Sequence, residues 1–120
     1  MSAAFLRRAA RAACWAVALA ILAASVVPGE IRAYSPFNGL VEHFLAYFAM
    51  GLTLEFGYGD RLPRGTFAVL LVGVAAALEI VQAYAPDRHP AVVDFLANAG
   101  GALTGVGFAV LIGRFVAREP

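Results

Sequence analysis

The chain has few charged residues, one cysteine and no lysine. These shortages limit the classes of protein and of partner that the sequence allows. Charged residues make up 14% of its 120 residues, against about 25% in an average soluble domain. The single cysteine, Cys14, cannot form an internal disulfide bond, so cysteine content says nothing about the redox compartment. All the basic residues are arginine, a bias that, with abundant Ala and Gly, is typical of a GC-rich bacterial genome. They form no basic stripe, which excludes nucleic acid as a partner.

Apolar residues are correspondingly abundant. They account for 62% of the chain, against roughly 45 to 50% in soluble domains. A soluble fold of this length could not bury so much apolar surface, whereas a bilayer covers the outward faces of membrane helices. We therefore predict an all-α polytopic membrane protein in which residues 1–120 form one domain.

Four apolar stretches predict a bundle of four transmembrane helices, at about 9–27, 40–56, 67–85 and 92–113. Cytoplasmic loops carry the excess of basic residues in membrane proteins. With the N-terminus inside, seven arginines are cytoplasmic and only Arg32 and Arg88 are external. This distribution predicts that both termini are cytoplasmic, an N-in/C-in topology, in the bacterial cytoplasmic membrane.

The first stretch also fits a cleaved signal peptide. Arg7 and Arg8 precede its apolar run, and the small residues Ala23, Ala24 and Ser25 resemble a cleavage site. We favour a retained helix, because the run is longer than the apolar region of a usual signal peptide. Under either interpretation the following loop is external, so the predicted orientation of the later helices is the same.

Residues suited to chemistry gather at the predicted outer ends of helices two, three and four. On each helix two of them share a face, because they are three or four residues apart. The pairs are His43 with Tyr47, Glu79 with Gln82, and Asp94 with Asn98, and Arg88 lies in the loop above them. An ionisable group at the membrane centre costs roughly 2.5 to 3.5 kcal/mol, so these side chains should face the bundle interior and one another. We predict a single polar cluster that binds a ligand at the outer leaflet.

A purely structural role for the same residues stays open, since polar side chains between membrane helices often only hydrogen-bond one another, contributing about 0.6 kcal/mol on average. Glu42 points about 100° away from His43 around the helix, so we expect it at the headgroup level and outside the cluster. At the other end, a solvated inner loop is predicted from Glu55, Asp60, Arg61 and Arg64.

Helix four also carries small residues at steps of four. They are Ala97, Gly101, Gly105, Ala109 and Gly113. This spacing lets another helix approach closely and predicts a helix-packing face. Its partner is left open between a helix of the same chain, a second copy in a homo-oligomer and a larger membrane protein.

The polar motifs, read in order, are His43-xxx-Tyr47, Glu79-xx-Gln82, Pro86-x-Arg88 and Asp94-xxx-Asn98-xx-Gly101. In this order they resemble the VanZ-like family of small bacterial membrane proteins over residues 41–111. The resemblance implies four membrane helices in the cytoplasmic membrane of the cell envelope and, for some relatives, resistance to lipoglycopeptide antibiotics. Two positions depart from the family pattern, since Leu40 stands where relatives often have lysine and Ala91 where they often have a hydroxyl residue.

The leading functional hypothesis is a non-enzymatic protein that contacts membrane lipids and binds an amphipathic ligand, such as a lipid-linked cell-wall component or a lipidated antibiotic. The alternatives are an accessory subunit of a membrane complex or an enzyme in which Glu79 or Asp94 acts as a base oriented by His43. The chain contains no G-x-S-x-G motif and no catalytic cysteine motif. A metal site from His43, Glu79 and Asp94 is chemically feasible but weakly indicated, and we assign neither a metal nor a cofactor.

Overall fold

In the computed structural model, which describes residues 1–26, 39–84 and 92–118, the chain is entirely helical apart from short turns. Within these ranges it forms four α-helices, and the all-α prediction is confirmed. They are α1 (Ala3–Val26), α2 (Gly39–Tyr58), α3 (Arg64–Gln82) and α4 (Val92–Arg118). The predicted end of helix three at residue 85 lies outside the described residues.

All four helices extend beyond the predicted apolar stretches at one end or both, and α1 and α4 extend furthest. Helix α1 begins at Ala3 rather than near Ala9, because the Ser2 hydroxyl accepts a hydrogen bond from the Phe5 amide at 3.2 Å and caps the first turn. Helix α4 runs on to Arg118, past the predicted end at Gly113. The apolar stretch predicts only the part of a helix that can lie in lipid. Backbone hydrogen bonds continue the helix into the polar residues beyond that stretch.

Three of the helices contain segments long and apolar enough to cross a membrane among the residues described. These segments are Ala3–Ser25, Gly65–Gln82 and Val92–Arg114. Helix α2 has 20 residues, which span about 30 Å at 1.5 Å per residue, but Glu42, His43 and Glu55 make it less apolar. The chain therefore has the composition of a multi-pass membrane protein.

The four helices are arranged in a ring around a small core. Helices α2 and α4 make the most extensive contact, α1 packs on α2, α3 packs on α4, and a smaller contact between α1 and α3 closes the ring. The core contains residues from every helix, namely Ile21, Tyr47, Met50, Leu71, Ala75 and Ala102. Side chains of all four helices can therefore reach one central cavity.

Glycine sets the close approach of α2 and α4. A Cβ atom on Gly101 would collide with the backbone carbonyl of Phe44, and one on Gly105 would collide with that of Phe48. From the opposite side, Gly51 of α2 lies equally close to the Ala102 carbonyl. The small-residue face of α4 is thus occupied by α2 of the same chain at these positions.

The ends of that face behave differently. Ala109 is buried and Ala97 is half-buried, but Gly113 is exposed and has no atom within 4 Å of a Cβ built on it. The packing face of α4 therefore ends before Gly113. The spacing of small residues predicted a longer packing face than the structure has.

Helix α1 is joined to the C-terminal end of α2 by polar contacts. Arg11 Nε donates a hydrogen bond to the Gly57 carbonyl at 2.7 Å, and its guanidinium lies 5.0 Å from the centre of the Tyr58 ring. Trp15 donates to the Tyr58 hydroxyl at 3.0 Å, and Arg7 forms an ion pair with Asp60. Arg11 thereby satisfies a carbonyl that the end of α2 leaves without a helical partner. Asp60 is exposed in the turn after α2, as predicted for a solvated loop. The same prediction for Glu55 is wrong, because Glu55 lies within α2 and one of its carboxylate oxygens is buried.

Candidate functional site

A cavity of about 60 Å³ lies at the end of the bundle where α1 and α3 finish and α2 and α4 begin. It is partly open to the surroundings, and all four helices contribute to its wall. Its polar lining residues are Ser25 from α1, Glu42, His43 and Tyr47 from α2, Gln82 from α3 and Asn98 from α4. Ile21, Ala24, Ala46 and Leu78 complete the wall with apolar groups.

The best-defined polar contact in this wall joins α2 to α4. His43 Nδ1 and Asn98 Oδ1 are 2.8 Å apart, and Asn98 is almost fully buried at 2% exposure. Because an amide oxygen can only accept a hydrogen bond, His43 Nδ1 is the donor in this contact. The other ring nitrogen, Nε2, takes no part in it.

The glycine packing of α2 and α4 fixes the position of this contact. Phe44 directly follows His43 on α2, and Gly101 lies less than one turn after Asn98 on α4. Since Gly101 packs on the Phe44 backbone, the two helices are held at the separation that the His43 and Asn98 side chains bridge. The glycine packing of α4 therefore positions Asn98 within hydrogen-bonding distance of His43.

Tyr47 and Glu79 form a second polar group deeper in the bundle. Tyr47 is 3% exposed, and one carboxylate oxygen of Glu79 is fully buried. The Glu79 carboxylate interacts electrostatically with the Tyr47 phenol across the α2 and α3 pair. Glu79 is not part of the cavity wall, but it interacts with Tyr47, which is.

The other predicted residues are placed as follows. Gln82 lines the cavity, and Asp94 is half-buried in the first turn of α4, one turn from Asn98 and outside the wall. Arg88 lies outside the described residues, so its part in the site stays a prediction from the sequence. Within the described part of the chain no three His, Cys, Asp or Glu side chains are grouped closely enough to hold a metal ion. His43, Glu79 and Asp94 therefore do not converge as a metal site would require.

Two residues of the wall were not expected there. Glu42 was predicted to lie at the headgroup level, but it lines the cavity because the wall extends across α1 as well as α4, covering a wider arc of α2. Ser25, considered above only as part of a cleavage signal, is 3% exposed and lines the cavity from α1. Its spacing from the buried residues Cys14 and Ile21, on one face of α1, is a signal that could have revealed it.

Comparison of the chain with protein-family models, with curated proteins and with solved structures finds no match in any of the three. The resemblance to the VanZ-like family therefore stays a prediction that rests on the motifs of the chain.

Proposed function

We propose that the protein is a VanZ-like, non-enzymatic protein of the bacterial cytoplasmic membrane that binds the polar end of an amphipathic molecule in the cavity between its four helices. In this proposal all four helices span the membrane, both termini are cytoplasmic and the cavity faces the outer leaflet. The distribution of arginine supports this orientation, because all the arginines in the described residues lie at the end opposite the cavity.

The observation that carries the proposal is the convergence of polar groups from every helix on one partly open cavity. If these groups served only to join helices, they would satisfy one another and leave no space between them. The His43 and Asn98 pair does so, but the wall around it is partly open and also contains polar side chains from α1, α2 and α3. Such a concave site with a few convergent polar groups is the usual form of a ligand-binding pocket.

The size of the cavity determines how a ligand would bind. Each water-sized group needs roughly 10 to 15 Å³ of such space, so a cavity of about 60 Å³ holds only a few heavy atoms. A whole lipid or antibiotic does not fit. The cavity accommodates the tip of a polar head, and the apolar tail would lie along the exposed faces of the helices in lipid.

Filling the cavity tests the proposal without removing a polar group. Ala46 lines the cavity, so Ala46→Leu should occupy it with side-chain carbon. The control is Ala77→Leu, which adds the same atoms at an exposed position on α3. Native mass spectrometry of protein purified from bacterial membranes should show a bound amphiphile on the wild type and on Ala77→Leu but not on Ala46→Leu. Equal occupancy in all three proteins would overturn the proposal.

A growth assay tests the link to antibiotic tolerance. A deletion strain is complemented with the wild type or with Glu79→Gln, and its susceptibility to a panel of cell-wall antibiotics is measured. We expect the wild type alone to restore tolerance to lipoglycopeptides, since Glu79 interacts with Tyr47 in the cavity wall. Equal tolerance in both complemented strains, at equal protein levels, would contradict a working role for this site.

A further inference from the structure

One face of α1 has the polarity profile of a membrane lipid. Because each residue turns the helix by about 100°, four side chains lie within about 60° of one another, namely Arg8, Trp15, Leu19 and Leu22. All four are exposed, Trp15 and Leu19 at 63% and Leu22 at 46%. Trp15 Nε1 also donates a hydrogen bond to the Tyr58 hydroxyl at 3.0 Å, so this face lies next to the end of α2. We name these four residues the lipid strip of α1.

The charged end of the lipid strip lies beside the turn that follows α2. The ion pair between Arg7 and Asp60 joins the start of α1 to that turn. Arg8 directly follows one member of this pair and Arg61 directly follows the other, which brings a second cation close to the strip. Both arginines are exposed, and neither side chain forms an ion pair with any other residue that the structure describes. Their guanidinium groups can therefore bind an external anion.

The carboxylates at this end of the bundle do not cancel its positive charge. Residues 1–15 and 55–64 together contain five arginines and two carboxylates, a net side-chain charge of +3. The carboxylates belong to Glu55, which has one buried oxygen, and to Asp60, which is paired with Arg7. An anion that approaches the lipid strip therefore meets an excess of positive charge.

From the lipid strip and its neighbouring arginine we infer that the protein binds an anionic phospholipid, with the headgroup at Arg8 and Arg61 and an acyl chain along the apolar part of the strip. In the proposed topology this site lies in the cytoplasmic leaflet, at the end opposite the cavity. Guanidinium groups bind phosphate oxygens in bidentate fashion, and indole rings favour the depth of lipid headgroups. A zwitterionic lipid has the same phosphate but no net charge, so the site should prefer the anionic lipid.

Trp15 allows a direct test, because it is the only tryptophan of the chain and lies within the lipid strip. The full chain is reconstituted in phosphatidylcholine vesicles that also contain brominated phosphatidylglycerol or brominated phosphatidylcholine, since bromine quenches indole fluorescence on contact. Quenching as a function of the brominated fraction gives the relative binding constant of the two lipids. One arginine near an anionic surface contributes about 1 kcal/mol, a factor of about five. Two arginines should therefore favour phosphatidylglycerol by roughly 25-fold.

Three variants separate a specific site from general attraction between the basic end of the bundle and an anionic membrane. Arg8→Gln and Arg61→Gln should each lower the preference about fivefold. The matched control is Arg114→Gln, which removes an exposed arginine at the same end from α4, the helix diagonally opposite α1 in the ring. The control should retain the wild-type preference. An equal loss in the control, or equal quenching of the wild type by both lipids, would overturn the inference.

Two further arms distinguish the lipid from a free anion and this site from the cavity. Inorganic phosphate, added against sodium chloride of equal ionic strength, should leave the quenching unchanged, because free phosphate has no acyl chain to contact the strip. Loss of the preference in phosphate would overturn the assignment to a lipid. Ala46→Leu, which fills the cavity, should also retain the preference, and a loss in that variant would overturn the separate site. The cavity proposal and this inference can therefore fail independently.

Discussion

Adding one methyl group to Gly105 should destabilise the protein, because that methyl has no space between α2 and α4. A Cβ atom there would lie 2.9 Å from the Leu52 amide nitrogen and 3.0 Å from the Phe48 carbonyl carbon. Both are backbone atoms, which cannot move aside by changing rotamer. The matched control is Gly107→Ala on the same helix, at an exposed position with nothing within 4 Å of the added atom.

The two variants share one energetic term and differ in the other. Each gains helix propensity, about 0.8 to 1.0 kcal/mol for replacing glycine with alanine. Only Gly105→Ala also suffers overpacking, which typically costs about 1 to 3 kcal/mol. The difference between the variants therefore isolates the collision and should amount to about 1 to 3 kcal/mol in the free energy of unfolding.

Reversible unfolding in mixed micelles with increasing SDS, followed by circular dichroism, measures this difference. We expect a lower midpoint for Gly105→Ala than for the wild type and an equal or higher midpoint for Gly107→Ala. Identical midpoints for the two variants would refute the close packing of α2 on α4. If Gly105→Ala separates these helices, it should also weaken the hydrogen bond between His43 and Asn98. The ¹⁵N chemical shifts of the His43 ring measure that change.

Three further predictions concern the polar contacts and the orientation of the chain. A double-mutant cycle with His43→Ala and Asn98→Ala should give a coupling energy of about 0.6 to 1.7 kcal/mol, the range for hydrogen bonds between membrane helices; strictly additive effects would show that this bond contributes nothing. Arg11→Met should lower the unfolding midpoint more than Arg8→Met, since Arg11 caps α2 and Arg8 is exposed, and equal shifts would argue against that cap. An impermeant thiol reagent added to intact cells should label Tyr84→Cys, which replaces a residue that is 86% exposed at the cavity end; labelling only after permeabilisation would reverse the proposed topology.

Much of the candidate site could be predicted from the sequence because membrane burial makes polar residues conspicuous. His43, Tyr47, Gln82 and Asn98 were selected by spacing and depth alone, and all four line one cavity. Glu79 and Asp94 satisfied the same criteria, and both lie outside the wall. Helical periodicity specifies which residues share a face, but the rotation of each helix about its axis depends on its packing.

The unexpected residues have a related cause. Ser25 and Glu42 line the cavity because α1 closes the ring beside α2. Helical spacing places Ser25 on one face with Cys14 and Ile21, but it does not specify which helix that face contacts. The contacts of Arg11 and Trp15 with the end of α2 could not be predicted for the same reason, since they join residues more than forty positions apart. Contacts between helices depend on neighbours that local sequence does not specify.

The sequence by itself determined that the chain is helical, apolar enough for lipid and polar at one end of its helices, because hydropathy and the period of the α-helix are local properties. The tertiary structure decided which helix packs on the small-residue face of α4 and how the polar groups are hydrogen-bonded around the cavity. Those outcomes depend on the collision or fit of specific atoms on different helices, such as Gly101 against Phe44 and His43 against Asn98. Such fits arise only when the four helices pack together.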